Sequence, residues 1–185
     1  MIGHLPTQLT VNGCSYAIRT HFQAILDILC AFDDPELENE EKAYTCLYIL
    51  YEDFFDIPEK DYEAAFKAAL EFIEHGASSD KGKSVRLMDW EQDAPLLFPA
   101  INKVAGREVR SAAYIHWWTF LGYYMEISDG VFSQILGMRA KKAKGKPLEK
   151  WEKEYWSANK DICELKTKLT AEEQAAKDRL NALLG

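Results

Sequence analysis

Cysteine is scarce, and the four present do not pair. Cys14, Cys30, Cys46 and Cys163 include no C-x-x-C couple. That argues against a zinc site and leaves free thiols in a reducing compartment as the expectation. Histidine is as sparse: His4, His21, His75 and His116 form no i, i+4 pair and no H-E-x-x-H, so no zincin helix is present. No G-x-S-x-G elbow supplies a nucleophile. Long hydrophobic runs are missing too. The longest apolar run without a charge, residues 111–125, has 15 residues. As a helix it would span about 22 Å, against a hydrocarbon layer of ~30 Å, so no membrane association is expected. The first 30 residues lack a basic region and a continuous apolar core, which makes the cytoplasm the expected location. Basic charge is in deficit, with 22 Lys and Arg against 30 Asp and Glu and a net charge of −8. A polyanion attracts a basic surface, so wholesale nucleic-acid binding is disfavoured.

What is present is a soluble globular composition, 48% hydrophobic and 28% charged over 185 residues. Such a length suits one domain, or two small halves sharing a core. Aromatics are dense, with five Trp, nine Tyr and nine Phe. The charge is unevenly spread. Residues 1–80 hold 16 acids and 4 bases, whereas residues 81–185 hold 14 acids and 18 bases.

Local patterns predict a mainly α fold of about seven helices with a small N-terminal β-hairpin. Leu9 to Val11 and Ser15 to Ile18 flank Asn12-Gly13, a pair suited to a type I′ turn. Thr20 with Gln23 reads as a capping box opening a helix with Phe22, Ile25, Leu26 and Leu29 on one face. Asp33-Asp34-Pro35-Glu36 ends that helix and suits the first turn of a second, which carries Tyr44, Leu47, Tyr48 and Tyr51. A third helix holds Tyr62, Phe66, Leu70 and Ile73 and stops at Gly76. Residues 77–86 are polar and read as a linker. They divide an acidic half, 1–76, from a basic half, 87–185, the two sharing one core.

In the second half Asp89 is the expected cap of a helix that Pro99 should kink or break, ending at Gly106. Ser111 should cap a buried aromatic helix with Tyr114, His116, Trp117, Trp118, Phe120, Tyr123 and Tyr124. Ser128 or Asp129 starts the next, which runs into a basic stretch. From Pro147, apolar residues at Leu148, Trp151, Tyr155, Ala158, Ile162, Leu165 and Leu169 alternate three and four apart, a heptad seam on one helix. Thr170 with Glu173 caps a last short helix.

Few of these residues suggest chemistry. Gly82-Lys83-Ser84 falls after Gly76 with five intervening residues, one too many for a phosphate loop, and follows a helix rather than a strand. Glu91 and Asp93 diverge on a helix, and Asp89 with Asp93 suits a helix dipole better than acid–base work. An enzyme built on His116 and Asp93 would need both in one pocket. No catalytic residue, cofactor or metal is assigned, and a non-enzymatic protein is the expectation. The binding candidates are the basic cluster Arg139, Lys141, Lys142, Lys144 and Lys146, together with Trp151, Tyr155, Trp156 and Ile162 of the heptad helix. The cluster suits an acidic protein surface; a nucleic-acid-binding regulator using Arg139 to Lys146 is the alternative. The acidic half would pair with basic partners or with the basic half of a neighbouring copy.

Three stretches carry a resemblance: residues 90–98, reading Trp-Glu-Gln-Asp-Ala-Pro-Leu-Leu-Phe; residues 114–121; and residues 132–139. Trp151-Glu152-Lys153-Glu154-Tyr155-Trp156, followed by Asn159-Lys160-Asp161, adds to it. Together they resemble the gene-product-fifteen family of siphophages and prophages of Gram-positive hosts. The resemblance implies a tail-morphogenesis protein, encoded between the major tail tube and tape-measure genes and similar by position to tail assembly chaperones. Such chaperones coat the tape-measure protein, deliver tail tube subunits and leave the finished virion. Some are made as frameshift fusions. Tape-measure and tail tube proteins are thus the implied partners. The resemblance brings no catalytic residues.

Overall fold

The computed structural model describes residues 3–74 and 85–184, the side chains of the last two excepted. Gly76, His75, Gly82-Lys83-Ser84 and the linker apart from Val85 and Arg86 lie outside the described residues. The fold is mainly α. Strands β1 (Gln8–Val11) and β2 (Cys14–Ala17) pair antiparallel, Val11 opposite Cys14 and Gln8 opposite Ala17. Asn12 and Gly13 take φ of 47° and 87°, the positive values a tight hairpin turn requires. Nine α-helices follow among the described residues, where about seven were expected.

Helix α2 (Asn39–Leu50) packs between α1 (Phe22–Phe32) and α3 (Tyr62–Ile73), and α3 packs on β1 of the hairpin. Short 3-10 turns at Phe54–Asp56 and Glu59–Asp61 join α2 to α3. Arg19 reaches the C-terminal end of α2, donating to the carbonyls of Tyr48, Ile49, Tyr51 and Glu52. A cation there complements the negative pole of the dipole. Three details differ from expectation. Pro35 does not open α2; Asp34 closes a turn on the Glu36 N–H, and α2 starts after Glu38, whose capping box uses Glu41. The buried face of α2 is Cys46, Leu47 and Leu50, while Tyr44 and Tyr48 face outward. The buried stripe of α3 runs through Ala65, Ala69, Phe72 and Ile73, because small residues let α3 approach its neighbours closely.

The second half contributes α4 (Ala94–Ala105), α5 (Trp117–Met125) and α6 (Gly130–Ala143). Pro99 does not break α4. Its missing N–H would have served the Pro95 carbonyl, and both prolines lie on the exposed face, where water takes over. Helix α5 begins at Trp117, not after Ser111. His116 stays extended because it forms a β-bridge with His21. The same bridge moves the cap of α1 from Thr20 to His21: the Thr20 carbonyl accepts from the Trp117 N–H at 2.7 Å, and its hydroxyl pairs with Tyr114.

One core runs through both halves. Val11, Phe22, Leu50, Tyr51, Ala69, Leu97, Ile101, Trp117, Phe120 and Phe132 all belong to it. Phe22 stacks on Phe120 with centroids 4.4 Å apart. The indole N–H groups of Trp117 and Trp118 donate to the carbonyls of Ile73 and Phe72 at 2.8 and 2.9 Å. These are last-turn carbonyls of α3 that have no partner within their helix. A smaller cluster of Ile135, Met138 and Cys163 sits beneath Tyr155, Trp156 and Ile162.

The expected heptad helix does not form. Residues 148–169 divide into α7 (Lys150–Ala158), a single turn α8 (Lys160–Cys163) and an irregular stretch before α9 (Ala171–Leu184). The expected capping box of α9 is present, with Thr170 and Glu173 exchanging bonds at 2.9 and 3.1 Å.

Candidate functional site

The expected basic cluster separates into three environments. Arg139 is buried in α6, 5% exposed. Its five N–H groups meet five acceptors: both Asp93 oxygens at 2.7 and 2.9 Å, and the carbonyls of Leu87, Cys163 and Ile162. A planar guanidinium matches such a set where an ammonium does not. Arg139 therefore clamps α4, α6 and α8 and is unavailable as a surface cation. This is also why the heptad helix breaks. In a continuous helix the Ile162 carbonyl would accept from Lys166 N–H. Here Arg139 takes that carbonyl, and the Lys166 N–H goes to the Gln92 side chain at 2.9 Å. The Gln92 amide in turn donates to the Glu164 carbonyl.

Lys141 is bound to the buried Glu152 at 2.7 Å and fixes α7 on α6. Lys142 lies over the Trp156 ring, 4.0 Å from its centroid, a cation–π contact. Of the cluster, Lys142, Lys144 and Lys146 are exposed and have no side-chain ion pair among the described residues. Of the expected aromatic contacts, Tyr155 and Trp156 are half-buried against Ile135, Met138 and Cys163, and Ile162 lies with them. Trp151 is 52% exposed. The candidate surface thus reduces to Lys142, Lys144, Lys146 and Trp151.

His116 and Asp93 do not meet. His116 is 2% exposed; its Nδ1 accepts from the Trp118 N–H and its Nε2 pairs with the Pro6 carbonyl at 2.9 Å. An accepting Nδ1 carries no proton, so Nε2 is the donor. Asp93 is taken by Arg139 and by the Asp89 N–H. Asp89 does not cap α4 but holds the turn before it, accepting from the N–H groups of Glu91 and Gln92. The stretch Glu91-Gln92-Asp93 is therefore a structural seam that binds residues 162–168, Asp93 through Arg139. Lys168 completes it with Glu91 at 2.6 Å, and Arg86 joins Asp89 to Asp33 of the acidic half.

Burial pushes the Asp89 pKa up, but the Gln92 N–H, the Lys168 and Arg86 cations and the Glu91 N–H together hold it below the ordinary value. Lys141 and the Glu149 N–H likewise lower Glu152, and Arg110 brings Glu108 down to about 2. A carboxylate with a folded-state pKa below its unfolded one adds stability that is complete above roughly pH 4 and lost as pH falls through the folded value. The thermal midpoint is therefore expected to be level from pH 7 to about 5 and to drop between about 4 and 2. Circular-dichroism melts would measure this. A midpoint unchanged down to about pH 2 would remove the role given to these carboxylates.

The four cysteines are free, and burial raises the thiols of Cys30 and Cys46 to about 11 and about 12. Among the described residues no His, Cys, Asp and Glu group is placed to hold a metal ion. Nor is any helix among them long and apolar enough to cross a membrane.

A second exposed surface was not anticipated. Tyr44, Tyr48 and Phe55 surround the buried Phe54, with ring centroids 5.0–6.2 Å apart, and Phe55 is 79% exposed. The signal was the adjacent pair Phe54-Phe55 in a short turn, which can bury only one of its rings.

No curated protein and no solved structure matches this chain. The profile described as Bacteriophage Gp15 protein matches residues 1–165, which takes in the whole clamp and both aromatic surfaces and stops short of α9. The chain belongs to the bacteriophage Gp15 protein family.

Proposed function

We propose that this phage protein is a non-enzymatic tail assembly factor, a chaperone that binds the tape-measure protein, the tail tube protein or both. The observation that carries the proposal is the presence of large aromatic side chains left outside the core: Trp151, which follows the exposed Lys144 and Lys146 in the chain, and Phe55 with Tyr44 and Tyr48 around Phe54. Aromatics supply most binding hot spots, and a long helical client offers apolar seams for them to cover. The polar groups that a catalytic reading would need, His116 and Asp93, are consumed by internal bonds. Two of the five cations that would contact a nucleic acid, Arg139 and Lys141, are neutralised by Asp93 and Glu152.

Co-expression with the tape-measure protein and, separately, with the tail tube protein of the same locus, followed by size-exclusion chromatography, tests the proposal. Co-elution with at least one at micromolar concentration is expected, weakened by Trp151→Ala. Separate elution of both clients would overturn it.

A further inference from the structure

The two exposed aromatic surfaces carry opposite charge and belong to different parts of the fold. The first is built on α2 and the turn after it, elements that pack on α1 and α3. Close to Tyr44, Tyr48 and Phe55 in the chain are Glu40, Glu52, Asp53, Asp56 and Glu59, all exposed, with Lys60 as the neighbouring base. None of those five carboxylates has an ion-pair partner among the described residues. Glu40, Tyr44 and Tyr48 follow at four-residue spacing and share one helix stripe.

The second surface is built on the end of α6 and on α7. In the chain Trp151 has Lys144, Lys146, Lys150 and Lys153 close by, all exposed and without an ion pair among the described residues, against the exposed acids Glu149 and Glu154. An apolar centre with a charged rim is the anatomy of an interface. Here two such surfaces on one chain have rims of opposite sign, so each is complementary to the other and repels its own kind.

We propose that the Tyr44–Tyr48–Phe55 surface of one molecule docks on the Lys144–Lys146–Trp151 surface of a second copy, head to tail. Like-charge repulsion disfavours the two-fold arrangement in which each surface meets itself. A head-to-tail contact repeats, because every bound copy still presents one free surface of each kind. It closes into a ring or extends as a helical array, depending on the rotation between copies. The proposal does not depend on the identity of any tail protein.

The test uses the purified full chain and three variants. Tyr48→Ser/Phe55→Ser removes the first surface, Lys144→Glu/Lys146→Glu the second; all four positions are exposed, and melting curves verify that folding is intact. By light scattering, the unaltered chain should exceed its monomer mass of 21.2 kDa as concentration rises. The association should weaken between about 0.1 M and about 1 M salt, as the screening length falls from about 10 to about 3 Å. Each double variant should associate at least about tenfold more weakly alone. An equimolar mixture of the two should form a two-chain species and go no further, since one intact surface remains on each. A third variant, Lys103→Glu on α4, away from both surfaces, should behave like the unaltered chain. Three outcomes overturn the proposal: a monomer at every concentration in low salt, a double variant that associates like the unaltered chain, or a mixture that stays monomeric.

Discussion

Arg139→Ala is expected to lower folding stability by about 3–5 kcal/mol, the usual cost of removing one partner from a buried ion pair. The cost has two sources in this chain. Asp93 remains as a carboxylate 1% exposed with its counter-charge gone. The carbonyls of Leu87, Cys163 and Ile162 lose their donor at the same time. Arg139→Lys should fall between the two, because an ammonium has three donors and no fork to match five acceptors. Urea unfolding followed by tryptophan fluorescence measures both. Because Arg139 holds α8 and the stretch after it, limited proteolysis should also cut near residues 160–170 sooner in the variant. A loss under about 1 kcal/mol, with unchanged proteolysis, would show that the guanidinium is not the clamp described here.

Trp117→Ala should cost a similar amount, about 3–5 kcal/mol. Trp117 is among the largest fully buried side chains; it stacks on Phe120 and packs beside Trp90. Its indole N–H also serves the Ile73 carbonyl, so alanine leaves both a cavity and an acceptor without its donor. Trp151→Ala is the matched control. With half of that ring already in solvent, the loss should stay within about 1 kcal/mol. Equal losses at the two positions would contradict the division between core and surface tryptophans. The contrast also separates the proposed function from folding, since the Trp151 variant should keep its stability while its co-elution with a tail protein weakens.

Elements whose causes lie within a few residues were legible. The Asn12-Gly13 hairpin and the Thr170–Glu173 capping box depend on local dihedral angles and on side chains three residues apart. Both appear as expected. The aromatic helix was legible in content but not in its start, because its boundary is set by a bridge to His21, 95 residues earlier. The basic cluster was legible as charge but not as location. Five cations in eight residues look like one patch, yet Arg139 is drawn inward by an aspartate 46 positions away. Tyr44 and Tyr48 were placed on the packing face of α2 because aromatic spacing alone does not distinguish an inner stripe from an outer one.

The sequence by itself determined the mainly α composition, the hairpin, the split of charge between halves and the family. Each follows from residue content, local spacing or words of sequence shared with relatives. Only the tertiary structure decided where the apparent heptad helix stops and which aromatics stay outside. The 3–4 spacing from Leu148 to Leu169 satisfies the local rule for a helix. Arg139 and Gln92, however, offer the backbone of residues 162–166 hydrogen bonds that replace those of the helix. Those partners come from elements distant in the chain. A local pattern states what a segment can form alone, and the bonds available after packing select what it does form.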